Sequence, residues 1–146
     1  MRIGINVSVL KKGENISGIG YYTYRIVKNL IEKDDENEYF LFSNCEIGVE
    51  FPIKNNVHFV LMPSKRRLFW SRYILGIKIK KYNLDIFWSP THNLPIIQQK
   101  NTKYFMTVHD VANHIFSNIS QSKNNQQKYL CVILNSSCKS ADGIIV

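Results

Sequence analysis

Apolar residues fall along this chain in short runs and helix-spaced stripes that take turns. Ile3-Gly4-Ile5-Asn6-Val7 is an apolar run of strand length, and the mostly polar stretch 8–17, which contains Gly13, reads as a loop. From Gly18 to Lys33 the apolar positions are Ile19, Tyr22, Ile26, Val27, Leu30 and Ile31. That is the spacing of one helix face, with Arg25, Lys28, Asn29 and Glu32 opposite. The acidic turn Asp34-Asp35-Glu36-Asn37 ends the helix, and Tyr39-Phe40-Leu41-Phe42 and Val57-His58-Phe59-Val60-Leu61 read as strands. After Pro63 a helix is predicted from near Ser64 to just before Asn83, carrying Leu68, Phe69, Trp70, Tyr73, Ile74 and Ile77. Asp85-Ile86-Phe87-Trp88 is a strand stopped by Pro90, residues 89–101 form a loop, and Tyr104-Phe105-Met106-Thr107-Val108 is a strand ending in His109-Asp110. The polar stretch from Ser117 to Gln127 leads to a helix over about Lys128–Lys139, and a last strand starts at Gly143. Strands separated by helices of this length need crossover connections, which are right-handed. The expected fold is α/β: a Rossmann-like, mostly parallel sheet with helices on both faces.

A length of 146 residues fits one domain, and 45% hydrophobic residues suffice for a sizeable core. Nineteen Lys+Arg against eleven Asp+Glu give a net charge of +8. That excess draws anions, whether nucleic acid, an acidic membrane face or a phosphate-bearing substrate, and does not choose among them. Cys45, Cys131 and Cys138 form no C-x-x-C pair, and the latter two lie too far apart along one helix for a bridge, so reduced cytosolic thiols are expected. No apolar run reaches the ~18 residues of a spanning helix, and the chain opens directly into a strand with no signal peptide, so a cytoplasmic location is expected.

Ligands of open parallel sheets bind at the carboxyl ends of the strands. Three polar segments fall there: the loop Ser17-Gly18-Ile19-Gly20, the segment Ser89-Pro90-Thr91-His92-Asn93, and His109-Asp110. Gly18 and Gly20 open a helix, where unpaired N–H groups and close backbone approach suit a phosphate. The loop is neither the dinucleotide fingerprint, which needs a third glycine, nor a Walker A loop, which needs Gly-Lys-Ser/Thr; a purely structural turn is the competing reading. His109 reads either as a residue contacting hydroxyls or a transferring group, or as a strand-end cap with Asp110 starting a turn. His92 has the same two readings, and His58 reads as a strand residue. His109, Asp110 and His114 lack metal-ligand spacing, so no metal is expected. Lys65-Arg66-Arg67-Leu68-Phe69-Trp70-Ser71-Arg72-Tyr73, extended by Lys78, Lys80 and Lys81, mixes bases with aromatics. Such a helix can lie on an anionic membrane, bind nucleic acid, or serve as an ordinary crossover. We take Phe69, Trp70, Tyr73, Ile74 and Ile77 to pack on the sheet, with the basic side facing solvent or lipid.

Taken in order, these motifs resemble the N-terminal domain of glycosyltransferase family 4, the retaining "group 1" transferases of GT-B fold. The resemblance rests on Arg2-Ile3-Gly4-Ile5-Asn6-Val7-Ser8, Gly18-Ile19-Gly20-Tyr21-Tyr22, Asp85-Ile86-Phe87-Trp88-Ser89-Pro90 with Asn93-Leu94-Pro95, Thr107-Val108-His109-Asp110, and Ser140-Ala141-Asp142-Gly143. It covers nearly all of residues 1–146 and implies an acceptor-side domain, without the nucleotide-sugar domain that forms the other wall of the cleft. Relatives often carry Asp at the place of Asn6 and Arg at the place of Tyr21. Carried over residue by residue, the resemblance implies that Gly18 and Gly20 approach the donor diphosphate. His109 then sits by the donor sugar with Asp110 shaping its loop, His92 and Asn93 line the acceptor side, and Tyr22 and Thr23 either touch the acceptor or only orient the loop. It implies a nucleotide-sugar co-substrate, no further cofactor, and a saccharide or lipid-linked acceptor in surface polysaccharide synthesis such as capsule or lipopolysaccharide. It also implies a donor domain in cis or in trans and peripheral contact of Lys65–Lys81 with the inner face of the cytoplasmic membrane. The chain closes inside an apolar strand, Gly143-Ile144-Ile145-Val146, and is expected to be inactive alone. The alternatives are a non-catalytic acceptor-binding subunit of a split transferase and, with no matching motif, a basic nucleic-acid-binding module.

Overall fold

The computed structural model of the chain describes residues 1–109 and 125–146. Six strands form one parallel sheet: β1 (Arg2–Asn6), β2 (Glu38–Ser43), β3 (Val57–Leu61), β4 (Ile86–Ser89), β5 (Lys103–Thr107) and β6 (Gly143–Ile145). Their order is β3-β2-β1-β4-β5-β6. The predicted α/β class and Rossmann-like layout hold, and every strand pair is parallel. Helix α1 (Gly18–Lys33) follows β1, and α3 (Asn125–Ser140) precedes β6. The helical segment 67–82, here α2, joins β3 to β4 and is heterogeneous. It runs as α over Arg67–Phe69, π over Trp70–Ile74, α over Leu75–Lys78 and 3-10 over Ile79–Tyr82. It stops at Asn83, whose φ of 47° is a left-handed cap that asparagine tolerates.

Strand residues alternate between two cores, one on each face. Tyr39 and Leu41 join Ile5, Val7, Val27, Ile31 and Trp88 under α1. Phe40 and Phe42 join Trp70, Leu75, Ile79, Phe87, Tyr104 and Met106 under α2, with Leu134 and Cys138 of α3 packed against them. Burial on both faces explains why β1, β2 and β4 read as continuous apolar runs. Gly4 sits where β1 meets the second core: a Cβ there would run into the Leu84 side chain and lie 3.0 Å from a Phe42 ring carbon.

Two expectations about α2 need correction. Phe69, Tyr73 and Ile77 do not pack on the sheet; they are 52%, 43% and 53% exposed, while Trp70, Leu75 and Ile79 enter the core. The π turn is the reason, because its wider spacing rotates the face that a regular 3.6-residue period would bury. The segment also becomes helical at Arg67 and not near Ser64. Ser64 is held in place at its backbone, its N–H donating to the Asn44 carbonyl (3.0 Å) and its own carbonyl accepting from Asn44 Nδ2 (2.8 Å).

Candidate functional site

Strand order reverses between β1 and β4, so their carboxyl ends open the crevice where such sheets take ligands. Asn6 closes β1 at 2% exposure, and its Oδ1 accepts from the Ser8 N–H at 3.1 Å, turning the chain off the sheet. At the end of β4, Trp88 Nε1 donates to Thr107 Oγ1 at 3.1 Å, which ties the tips of β4 and β5. The loop after β4 then returns over these tips.

Three of the residues singled out in the sequence meet there. The His109 N–H donates to His92 Nε2 at 2.9 Å, and His109 Nε2 lies 2.9 Å from the Pro90 carbonyl oxygen. A carbonyl only accepts, so His109 Nε2 carries a proton and Nδ1 is the acceptor of the neutral ring. His92 accepts at Nε2, so its own proton is on Nδ1. Tyr22 of α1 meets the His109 ring edge-on with centroids 4.8 Å apart, and its other neighbour is the Trp88 ring at 6.4 Å. The start of α1, the loop after β4 and the end of β5 thereby converge on one half-buried imidazole. Asp110 and His114 lie outside the described residues.

The glycine loop is a capped helix start. Ser17 Oγ accepts from the Gly20 N–H at 3.1 Å. Gly20 is buried, and a Cβ on it would sit 3.0 Å from Ile16 Cγ2. Its N–H is therefore engaged and its lack of a side chain serves packing. Gly18 is exposed, with nothing within 4 Å of a Cβ built there. The first N–H groups of α1, those of Gly18 and Ile19, have no helical carbonyl to bind. Thr23 is wholly buried and donates its hydroxyl to the Ile19 carbonyl at 2.7 Å, so it fixes the helix start and presents no surface. Asn93 is half-buried, and its Oδ1 is shut away from water without a hydrogen-bond partner.

Beside this group the carboxyl edge holds two clefts. One of about 220 Å³ is lined by Asn6, Ser8, Arg67, Ser71, Thr91 and Asn93. The other, about 820 Å³, lies over the ends of β1, β2 and β3 and is lined by Ser8, Lys11, Glu14, Asn44, Lys65 and Arg67 among others. Ser8 and Arg67 belong to both.

Arg72, in the π turn, holds the loop after β4 in place. It is 7% exposed and donates to the Leu94 carbonyl (2.9 Å), Ser137 Oγ (3.0 Å) and Ser136 Oγ (2.7 Å). Ser137 Oγ also accepts from the Leu94 N–H at 3.0 Å. Burial pulls the Arg72 pKa below the ordinary arginine value, yet a guanidinium stays charged. Along the chain Arg72 reads as one of the surface bases; its signal was a lone arginine amid the apolar positions of Leu68 to Leu75. The meeting of Lys11, Asn44 and Arg67 around one cleft had no signal along the chain, because it needs β1, β2 and β3 side by side.

Two aspartates carried by the motifs act in folding. Asp85 Oδ2 accepts from the Arg2 N–H at 2.7 Å, and Asp142 Oδ2 from the Tyr104 N–H at 2.8 Å. Each precedes a strand and satisfies one N–H at the start of the strand beside it. Among the described residues, no group of His, Cys, Asp and Glu is placed to hold a metal ion. No helix among them is long and apolar enough to cross a membrane. No protein-family model matches the chain, and no curated protein matches it in sequence.

Proposed function

We propose that this chain is the acceptor-side domain of a retaining sugar transferase that uses a nucleotide-sugar as donor. The observation that carries the reading is the convergence of Tyr22, His92 and the Pro90 carbonyl on His109 at the carboxyl edge, beside the crevice between β1 and β4. With Nε2 fixed on Pro90, His109 can offer Nδ1 to a sugar hydroxyl when neutral, or stabilise a departing diphosphate when protonated. His92 and the Asn93 amide nitrogen supply polar groups to the acceptor, Tyr22 an aromatic edge, and Thr23 holds the helix that carries Tyr22. Gly18 leaves space for a donor phosphate at the start of α1, and Gly20 sets the loop that makes it. A donor domain facing this edge, in cis or in trans, completes the cleft, since rate enhancement requires contacts to the transition state from both sides.

A membrane-bound acceptor is favoured by α2. Its exposed Phe69, Tyr73 and Ile77 lie among the exposed bases Lys65, Arg66, Lys78, Lys80 and Lys81. Apolar and basic groups together suit the surface of an anionic bilayer. Acceptor binding is tested by saturation-transfer NMR with oligosaccharides of surface polysaccharides. Signal transfer to a saccharide, lost in His92→Ala and Asn93→Ala, is expected; equal transfer to the double variant would overturn the assignment of the acceptor side.

A further inference from the structure

The cleft over β1, β2 and β3 has a charge imbalance that the fold has no use for. Lys11, Lys65 and Arg67 line it with one carboxylate, Glu14. Glu14 is taken up by Lys11 in an ion pair, which is what raises the Lys11 pKa above its ordinary value; Arg67 opposes that rise, as a like charge nearby does. Lys65 and Arg67 have no carboxylate within ion-pair distance among the described residues. Two exposed cations with no carboxylate partner give the cleft a positive potential that attracts an anion.

The walls that carry these charges are anchored. The Lys11 loop is pinned to the segment after β2 by an antiparallel bridge between Lys11 and Ile47, by Lys12 N–H to the Glu46 carbonyl (2.9 Å) and by Gly48 N–H to the Leu10 carbonyl (2.8 Å). A Cβ on Gly48 would lie 2.9 Å from Lys12 Cα, so the close approach needs glycine there. Across the cleft, the Asn44 clamp on Ser64 holds the backbone that presents Lys65 and Arg67. Asn44 is itself 7% exposed, and its Oδ1, turned away from Ser64 by the amide, has no partner.

We propose that this cleft binds the phosphate or diphosphate group of the acceptor, with Arg67 and Lys65 as the principal contacts. Arg67 is placed for this because it also lines the smaller cleft with Asn93, so a phosphate at Arg67 leaves its attached sugar beside the acceptor residues. Who presents the phosphate rests on the transferase reading; that the cleft takes one does not. An apolar pocket of about 310 Å³ lined by Leu41, Phe59 and Leu61 adjoins the cleft through Cys45, which lines both, so the phosphate can come from a lipid-linked or a free ligand.

The test is calorimetric titration of the whole protein with inorganic pyrophosphate at low salt, then with farnesyl diphosphate. Pyrophosphate is expected to bind, and Lys65→Gln/Arg67→Gln to weaken it by tenfold or more, while Lys100→Gln, which removes an exposed charge outside the cleft, leaves it unchanged. All the substituted side chains are exposed, and circular dichroism checks that the variants fold. Farnesyl diphosphate binding at least tenfold tighter than pyrophosphate identifies a lipid-linked source; equal affinity identifies a free phosphate ligand. No pyrophosphate binding, or equal loss in Lys100→Gln, overturns the site. A protein that binds pyrophosphate at these residues but takes part in no sugar transfer keeps the site and loses the transferase reading.

Discussion

Asp34 shows how much one polar side chain can organise. Its carboxylate accepts from Asn37 Nδ2 (2.5 Å), Tyr39 Oη (2.6 Å) and the Asn37 and Glu36 N–H groups (3.1 and 2.9 Å), which together hold its pKa well below the usual carboxylate range. Burial, and then Asp34, push the Tyr39 hydroxyl up. A carboxyl whose folded pKa is depressed contributes stability above its unfolded value of about 4, and that stability is lost as pH falls through the folded value. Urea midpoints in the wild type should therefore keep the Asp34 contribution from pH 7 to about pH 5 and lose it progressively as pH drops below about 4. In Asp34→Asn they should be lower at pH 7 and fall less with acid; a variant as stable and as acid-sensitive as the wild type would rule this out. The sequence marked 34–37 as an acidic turn but not Asp34 as its organiser. Tyr39 is a strand residue in the pattern, and its hydroxyl reaches Asp34 only once β2 forms. His109, His92 and Tyr22 were visible as types in the sequence. Their meeting was not, because it depends on three elements separated along the chain.

Most elements were legible because burial on two faces writes a plain signal. The predicted helix from Gly18 to Lys33 is α1, and the strand from Val57 to Leu61 is β3, with their predicted ends. The helix α2 was legible in existence and not in orientation. Its apolar residues outnumber the positions its core face can hold, and the π turn decides which of them turn outward. Phe69 and Tyr73 keep their rings 5.2 Å apart on the exposed side. Replacing Phe69, Tyr73 and Ile77 by serine should lower binding to phosphatidylglycerol-containing vesicles by about 10²-fold, since each side chain forfeits on the order of 1 kcal/mol of apolar burial. The fold should persist, as none of the three belongs to a core. Sedimentation with the vesicles reads the effect, and unchanged partitioning would remove α2 from the membrane contact.

At the scale of the molecule, parallel order and the reversal between β1 and β4 bring the polar loops to one edge, and the helices cover the two faces. The sequence forecast that edge because each candidate segment follows a strand or opens a helix. The basic cleft escaped it because Lys11 and Lys65 approach only when β3, β2 and β1 lie side by side. On the proposed function, His109 stands at the reacting centre of a shared cleft. The most direct measurement is transfer of labelled sugar from common nucleotide-sugars to a saccharide or lipid-linked acceptor, by the protein isolated from its native cell with any donor domain that accompanies it. Transfer with retained anomeric configuration is expected, reduced by about 10²-fold or more in His109→Ala. No transfer to any acceptor, or equal transfer by His109→Ala, would contradict the proposal.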